Sequence, residues 1–284
     1  MRRISYSSLT LALLAIGLSL SSIAGAQPPA CNTCPGNTPN PNGAVLALRV
    51  FNNCPTSSLN TINNYPAFIL FDDQNVDCFG YANLHTWTFS ADGGQTAVPF
   101  ENCSHYRFAA TVVLDGSGEG EGGLRLSPWW SPNADGKFML NTVARPTDPA
   151  HDREISCFGG RLPFYSFTIN YGLHYVKGTA ARLDITYNPH TLAATDPATI
   201  IYRLTYGGNN YSSGPLPFDQ GNPAEGHGQY GELCPAWVGG YAQPYLGQGF
   251  PVGLSTSFFD IFFEGPSATP AVPTTWGKLK SLYR

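Results

Sequence analysis

The stretch "YRFAATVVLD", residues 106–115, places Phe108, Ala110, Val112 and Leu114 at every second position. A period of two puts these four side chains on one face of a strand; a helix would scatter them around its axis. The same rhythm extends in both directions along the chain. "ARLDITY" (181–187) puts Leu183, Ile185 and Tyr187 on one face and Arg182, Asp184 and Thr186 on the other, and "IIYRLTY" (200–206) repeats that logic with Tyr202, Leu204 and Tyr206. "FFDIFFE" (258–264) is predicted to present Phe259, Ile261 and Phe263 together. "AVLALRVF" (44–51) and "AFILF" (67–71) are continuous apolar runs, and "LHTWTF" (84–89) alternates. "GGLRL" (122–126) and "KFMLN" (137–141) flank a loop in which Asp135-Gly136 is a hairpin signal. "EISCFGG" (154–160) and "PFYSFTI" (163–169) read as further strands. The body of the chain has no helical pattern of ten residues and no repeat of fixed period. This pattern predicts an all-β, antiparallel two-sheet β-sandwich, each strand with one apolar and one polar face.

The composition agrees. Charged residues make up only 12% of the 284-residue chain, while Gly (31), Pro (24), Phe (17) and Tyr (15) are abundant. Such a mixture favours short strands joined by many turns. Residues 1–26 read as an export signal: Arg2 and Arg3, a short apolar core "LTLALLAIGLSL" (9–20), then Ala24-Gly25-Ala26 as a cleavage site. That core is too short to span a bilayer as a helix. Cleavage after Ala26 would move the formal charge from −4 to −6, with 13 basic against 19 acidic residues. An acidic surface has no general attraction for phosphate backbones, so nucleic acid is excluded as the expected partner. The expected organisation is a Pro/Asn-rich lead-in (27–43), one sandwich domain (44–264), a Pro/Thr linker (265–275) and a basic aromatic tail (276–284). The tail reads either as a sorting or anchoring tag or as an end that docks or frays. The expected location is secreted, extracellular or periplasmic.

Seven cysteines follow the signal: Cys31, Cys34, Cys54, Cys78, Cys103, Cys157 and Cys234. After export these are disulfide candidates, and an odd count leaves one thiol free or paired between chains. Cys31-x-x-Cys34 lacks a second ligand pair for zinc and sits in a Pro/Asn-rich segment, which favours a structural role.

Glu119 and Glu121 in "EGEGGLRL" would project from one side of a strand, about 7 Å apart by strand rise. They are candidates for an acid/base pair with Arg125 at the same parity, or two solvated acids in a glycine-rich turn. Trp129 and Trp130, after Pro128, are candidates for stacking on a sugar ring or for packing at a loop base. Trp87, Tyr165, Tyr202, Tyr206, Tyr211 and Tyr241 are further aromatic platform candidates. Asp73-x-Asn75-x-Asp77 has a spacing that can converge oxygens on calcium (Ca2+), although the loop glycine and distal glutamate of such sites are missing; otherwise no cofactor is expected. The six histidines, His85, His105, His151, His174, His190 and His227, form no HExxH motif.

"EGGLRLSPWW", "GKFML", "GGRLPFYSFTINYGLHYVKGTAARLDITYNP", "SSGPLPFD" and "FFDIFFEGP", in that order, resemble concanavalin A-like lectin/glucanase jelly rolls over about residues 100–264. The resemblance implies two curved sheets with a ligand held on the concave face by aromatic and polar side chains. It carries over no catalytic residue. The Glu-x-Asp-x-x-Glu strand of laminarinase-type glucanases is absent, and of the alginate-lyase pattern "HYVKGTAARL" shares only Tyr175, Lys177 and Gly178. The expected function is therefore non-catalytic binding of a glycan or cell-surface component. The alternatives are a glycoside hydrolase or polysaccharide lyase of the same fold, and a structural or adhesive extracellular protein.

Overall fold

A computed structural model describes residues 40–100, 104–128, 136–159, 162–193, 195–217, 236–246 and 251–265. Among these residues the chain forms seventeen strands and one short helix. In order they are β1 (Gly43–Ala47), β2 (Ser58–Asn64), β3 (Phe68–Val76), β4 (Gly80–Tyr81), β5 (His85–Ser90), β6 (Pro99–Phe100), β7 (Tyr106–Asp115), β8 (Glu119–Pro128), β9 (Gly136–Asn141), β10 (Ile155–Phe158), β11 (Tyr165–Ser166), α1 (Phe167–Tyr171), β12 (Ala181–Asn188), β13 (Thr199–Tyr206), β14 (Asn209–Ser212), β15 (Leu216–Pro217), β16 (Ala236–Leu246) and β17 (Val252–Glu264).

Every pairing is antiparallel, in two sheets. The nine-stranded sheet runs β1-β5-β16-β8-β9-β10-β11, with β4 and β6 also on β16. The eight-stranded sheet runs β14-β13-β12-β7-β17-β3-β2, with β15 on β13. The architecture is an antiparallel two-sheet β-sandwich. Several consecutive strands pair as neighbours in one sheet, β2 with β3, β8 with β9 and β12 with β13, while the chain changes sheet between others, as from β7 to β8. The core fills the space between the two sheets.

The inward faces follow the alternation. Phe108, Ala110, Val112 and Leu114 of β7 meet Leu124 and Leu126 of β8 in one apolar cluster, together with Leu183, Ile185 and Tyr187 of β12. Trp87 stands edge-on to Phe89 and Phe258 with ring centres 5.2 and 5.7 Å away. At the other end Phe138 stacks on Phe167 at 5.5 Å.

Three segments depart from expectation. "PFYSFTI" is strand only at β11, after which Ser166 caps α1 by accepting the Ile169 N–H (3.1 Å), and Gly172 ends the helix in the left-handed region (φ 68°). In β17 the expected face is broken. Phe258 and Ile261 are buried, while Phe259 is exposed, because Asp260 is left-handed (φ 47°) and shifts the register against β7. Finally, β16 crosses the middle of the nine-stranded sheet through "AWVGGYAQPYL", where the alternation predicts no strand.

Candidate functional site

The inward residues of β8 and β9 are Leu124, Leu126, Phe138 and Leu140. Glu121, Arg125, Lys137, Met139 and Asn141 therefore face away from the second sheet. Pairing aligns them in rows across strands. Gln243 pairs with Glu121 and Glu121 with Asn141, and the Asn141 N–H donates to the Glu154 carbonyl (2.9 Å). The next row is Tyr241, Gly123, Met139 and Ser156, and the one after it Gly239, Arg125, Lys137 and Phe158.

Gly123 leaves a gap in the middle row, and the Lys137 side chain crosses it. Its ammonium lies 4.6 Å from the centre of the Tyr241 ring and donates to Glu121 Oε1. The glycine is obligatory, because a Cβ there would sit 2.0 Å from the Phe138 carbonyl oxygen. Glu121 is 5% exposed and Arg125 3%. Charges so far from water keep their ionised form only with opposite charges or hydrogen bonds close by.

Beyond Glu121 this face sinks into a cleft of ≈ 380 Å³, within the ~300–1,000 Å³ usual for small-ligand sites. Tyr81, Met139, Phe158 and Phe164 supply its apolar lining; Glu121, Asn141, Arg145, His151 and Glu154 supply its polar one. Burial, and then the Glu121 carboxylate, push the Tyr81 hydroxyl up to about 12, so Tyr81 is a neutral donor across the physiological range. Its ring packs on Tyr245 at 5.1 Å. His151 Nδ1 lies 3.0 Å from Glu154 Oε2, and that contact raises the histidine's pKa. The loop between β9 and β10 is held by Asp152, whose Oδ1 accepts the Arg145 N–H (2.7 Å) and whose Oδ2 accepts from Arg153 (2.9 Å).

The sequence-predicted residues divide. Glu121 lines the cleft, and Arg125 lies on the same face. Glu119 is half-buried beside the loop, its Oε1 3.4 Å from the Ala144 N–H. Tyr241 forms the floor beneath Lys137. Trp87 and Tyr202 are corrected: both are fully buried between the sheets and offer no platform. The alternation itself turns them inward. Tyr206 is engaged with the chain, its hydroxyl accepting the Val176 N–H (2.8 Å). Tyr165 packs edge-on to Phe167, and Tyr211 on Tyr171. Tyr175 is buried, with its hydroxyl on the Thr179 carbonyl (2.7 Å), and Lys177 donates to the Gly116 and Gly118 carbonyls, so neither is part of the cleft. Trp129 and Trp130 lie outside the described residues, as do Cys31, Cys34, Cys103, Cys234 and the tail.

The calcium reading fails on geometry. Asp73 is buried, accepting from Asn83 (3.0 Å) and facing His85 Nε2 (2.9 Å). Asn75 adopts a left-handed bulge (φ 57°) that ends the alternation, and Asp77 instead accepts from Thr56 outside the core (2.9 Å). Cys54 and Cys78 form a disulfide. Their sulfurs and Asp77 lie within 4.8 Å of one another, yet a disulfide offers no thiolate to a metal. Cys157 is a free, buried thiol whose pKa burial pushes up, so as a disulfide candidate it is corrected.

Tyr81, Met139, Asn141, Arg145, His151, Glu154, Phe158 and Phe164 were not singled out from the sequence. Met139 and Asn141 share the parity of Lys137 and were within reach of that argument. His151 and Glu154 meet through a turn that no motif announces.

No protein-family model matches the chain, and no curated protein sequence matches it. Solved structures are similar in layout. A Lotus tetragonolobus seed lectin has TM-score 0.44 and 10% identity, covering 80% of this chain and 96% of its own. Lectin II from Ulex europaeus has TM-score 0.41 and 11% identity, over 80% and 95%. An alginate lyase from Corynebacterium sp. has TM-score 0.43 and 9% identity, over 78% and 94%. The likeness gives no residue of this chain a role.

Proposed function

We propose that the protein binds a glycan in the cleft on the outer face of the nine-stranded sheet. The observation that carries this reading is the mixed lining. Tyr81, Phe158, Phe164 and Met139 offer apolar surface beside the hydrogen-bonding side chains of Asn141, Glu121, Glu154 and Arg145. A sugar ring has the matching character, with C–H faces that stack on aromatic rings and a rim of hydroxyls that needs donors and acceptors. Phe164, 61% exposed at the cleft, is the stacking platform. The glycan is one met outside the cell. The signal-like amino terminus and the Cys54–Cys78 disulfide support that location.

Affinity electrophoresis through neutral and acidic polysaccharides tests this. Retardation is expected with at least one polysaccharide, and it should be lost in Phe164→Ala and Asn141→Ala. A wild-type protein that runs freely through the whole panel overturns the reading.

A catalytic version has one observation in its favour. Glu121 and Glu154 share the outer face with a single strand between them, roughly 10 Å apart at the backbone by strand spacing. Two carboxylates across a bound sugar can act as acid and base in glycoside hydrolysis. New reducing ends from a bound polysaccharide, abolished by Glu121→Gln and by Glu154→Gln, would establish it. Intact chains after prolonged incubation would leave binding alone.

A further inference from the structure

We propose that the sugar bound in this cleft carries an oxyanion, a carboxylate or a sulfate ester, and that Arg145 receives it. This rests on the cleft being a glycan site and goes on to name the class of glycan. Both carboxylates that line the cleft already have a partner, Glu121 the Lys137 ammonium and Glu154 the His151 imidazole (3.0 Å). Neither is free to attract a cationic amino sugar. Arg145 is in the opposite position. It lines the same cleft and is exposed, and its guanidinium makes no ion pair or hydrogen bond with any described residue.

Its backbone is nevertheless fixed. The Arg145 N–H donates to Asp152 Oδ1 (2.7 Å), and its carbonyl accepts the Asp148 N–H (2.9 Å). The loop is anchored through main-chain groups, which leaves the guanidinium fork to a ligand. A planar guanidinium binds carboxylate or sulfate oxygens in pairs, and these charge-assisted bonds are about twice as strong as neutral ones. Tyr81, kept protonated, adds a neutral donor that does not repel the anion.

The test is isothermal calorimetry of the full chain with polygalacturonate, dextran sulfate and an uncharged galactan, for wild type, Arg145→Gln and Arg203→Gln. Arg203 is a partly exposed arginine on the other sheet and controls for general attraction of polyanions. Wild type should prefer one or both anionic polymers over galactan, and the preferred polymer tells carboxylate from sulfate. Arg145→Gln should weaken that binding at least tenfold and leave galactan unchanged, with Arg203→Gln behaving as wild type. Galactan binding as tightly as both anionic polymers, or equal losses in the two arginine variants, would overturn the assignment to Arg145 while glycan binding stands. Absence of heat with all three polymers would overturn both readings.

Discussion

The two outer faces of the sandwich look alike in sequence and differ in structure. Both alternate apolar residues with charged ones. On the eight-stranded sheet the cations stay wet: Arg107 and Arg203 are 40% and 41% exposed over a buried Asp184, which they contact at 2.6 and 3.3 Å. On the nine-stranded sheet the equivalent positions are shut away, with Glu121, Arg125, Asn141 and Gln243 all buried. On the first face one acid is buried beneath exposed arginines; on the second an acid and an arginine are both buried, beside a recess. Neither polarity nor one buried acid marks a site; the second face adds a cleft beside its buried polar row, and a buried charge is kept only where something compensates it.

The largest expected effect tests that contrast directly. Lys137→Ala removes one partner of the desolvated pair and strands Glu121, so it should lower stability by about 3 kcal/mol. Arg203→Ala removes a solvent-exposed partner and leaves Asp184 its contact with Arg107, so it should cost under ~1 kcal/mol. Urea denaturation of both variants measures the difference. Equal losses would mean that the two faces are energetically the same.

A second comparison uses aromatic residues. Phe164 at the cleft and Phe259 on the other sheet are both exposed. Phe164→Ala should reduce glycan affinity about tenfold, or about 1.4 kcal/mol. Phe259→Ala should leave affinity where it was. Titration of intrinsic fluorescence with the bound polysaccharide reads both, and an effect of Phe259→Ala would move the site to the wrong sheet.

Much of this contrast was within reach of the sequence, though only along strands. Alternation put Phe108, Ala110, Val112 and Leu114 on one face of β7, and that face is buried. It failed where the backbone breaks its own rhythm. The segment "AWVGGYAQPYL" resembles a turn because of Gly239, Gly240 and Pro244, yet it is a central strand. Its glycines are required by Trp87: a Cβ on Gly239 would lie 1.8 Å from the Trp87 carbonyl oxygen, and one on Gly240 2.3 Å from the indole nitrogen. No sequence period encodes that close approach. Arg145, His151 and Phe164 lie between strands, and only the folded loops bring them to one recess.

The pH dependence should also separate the faces. His151 faces Glu154, Asp148 and Arg145, and shares its cleft with Glu121 and Tyr81. The hydrogen bond and charge of Glu154 raise its pKa, so the imidazolium persists to higher pH than that of an ordinary histidine. A protonated His151 adds positive charge beside Arg145. Affinity for an anionic polymer should be full at mildly acid pH and fall several-fold as pH rises through the raised His151 pKa. His151→Gln should flatten that profile, whereas loss of the exposed His190 should not change it. A profile unchanged by His151→Gln would remove histidine from the site.

The smallest effect concerns why the aromatic stripe of β17 faces solvent. Asp260 sits at φ 47°, its carbonyl accepts from Arg182 (3.0 Å), and the next N–H donates to the Pro66 carbonyl (3.0 Å). Those bonds hold the bulge that turns Phe258 and Ile261 inward and leaves Phe259 and Phe262 out. Glycine adopts this conformation freely, but its unfolded chain has more freedom to lose, so Asp260→Gly should shift stability by only a few tenths of a kcal/mol. A β-branched residue is strained there, and Asp260→Val should cost more than about 1 kcal/mol. Thermal melts of the two variants separate the cases. If valine is tolerated as well as glycine, the bulge is not what orients the stripe, and the exposed aromatics of the eight-stranded sheet need another cause.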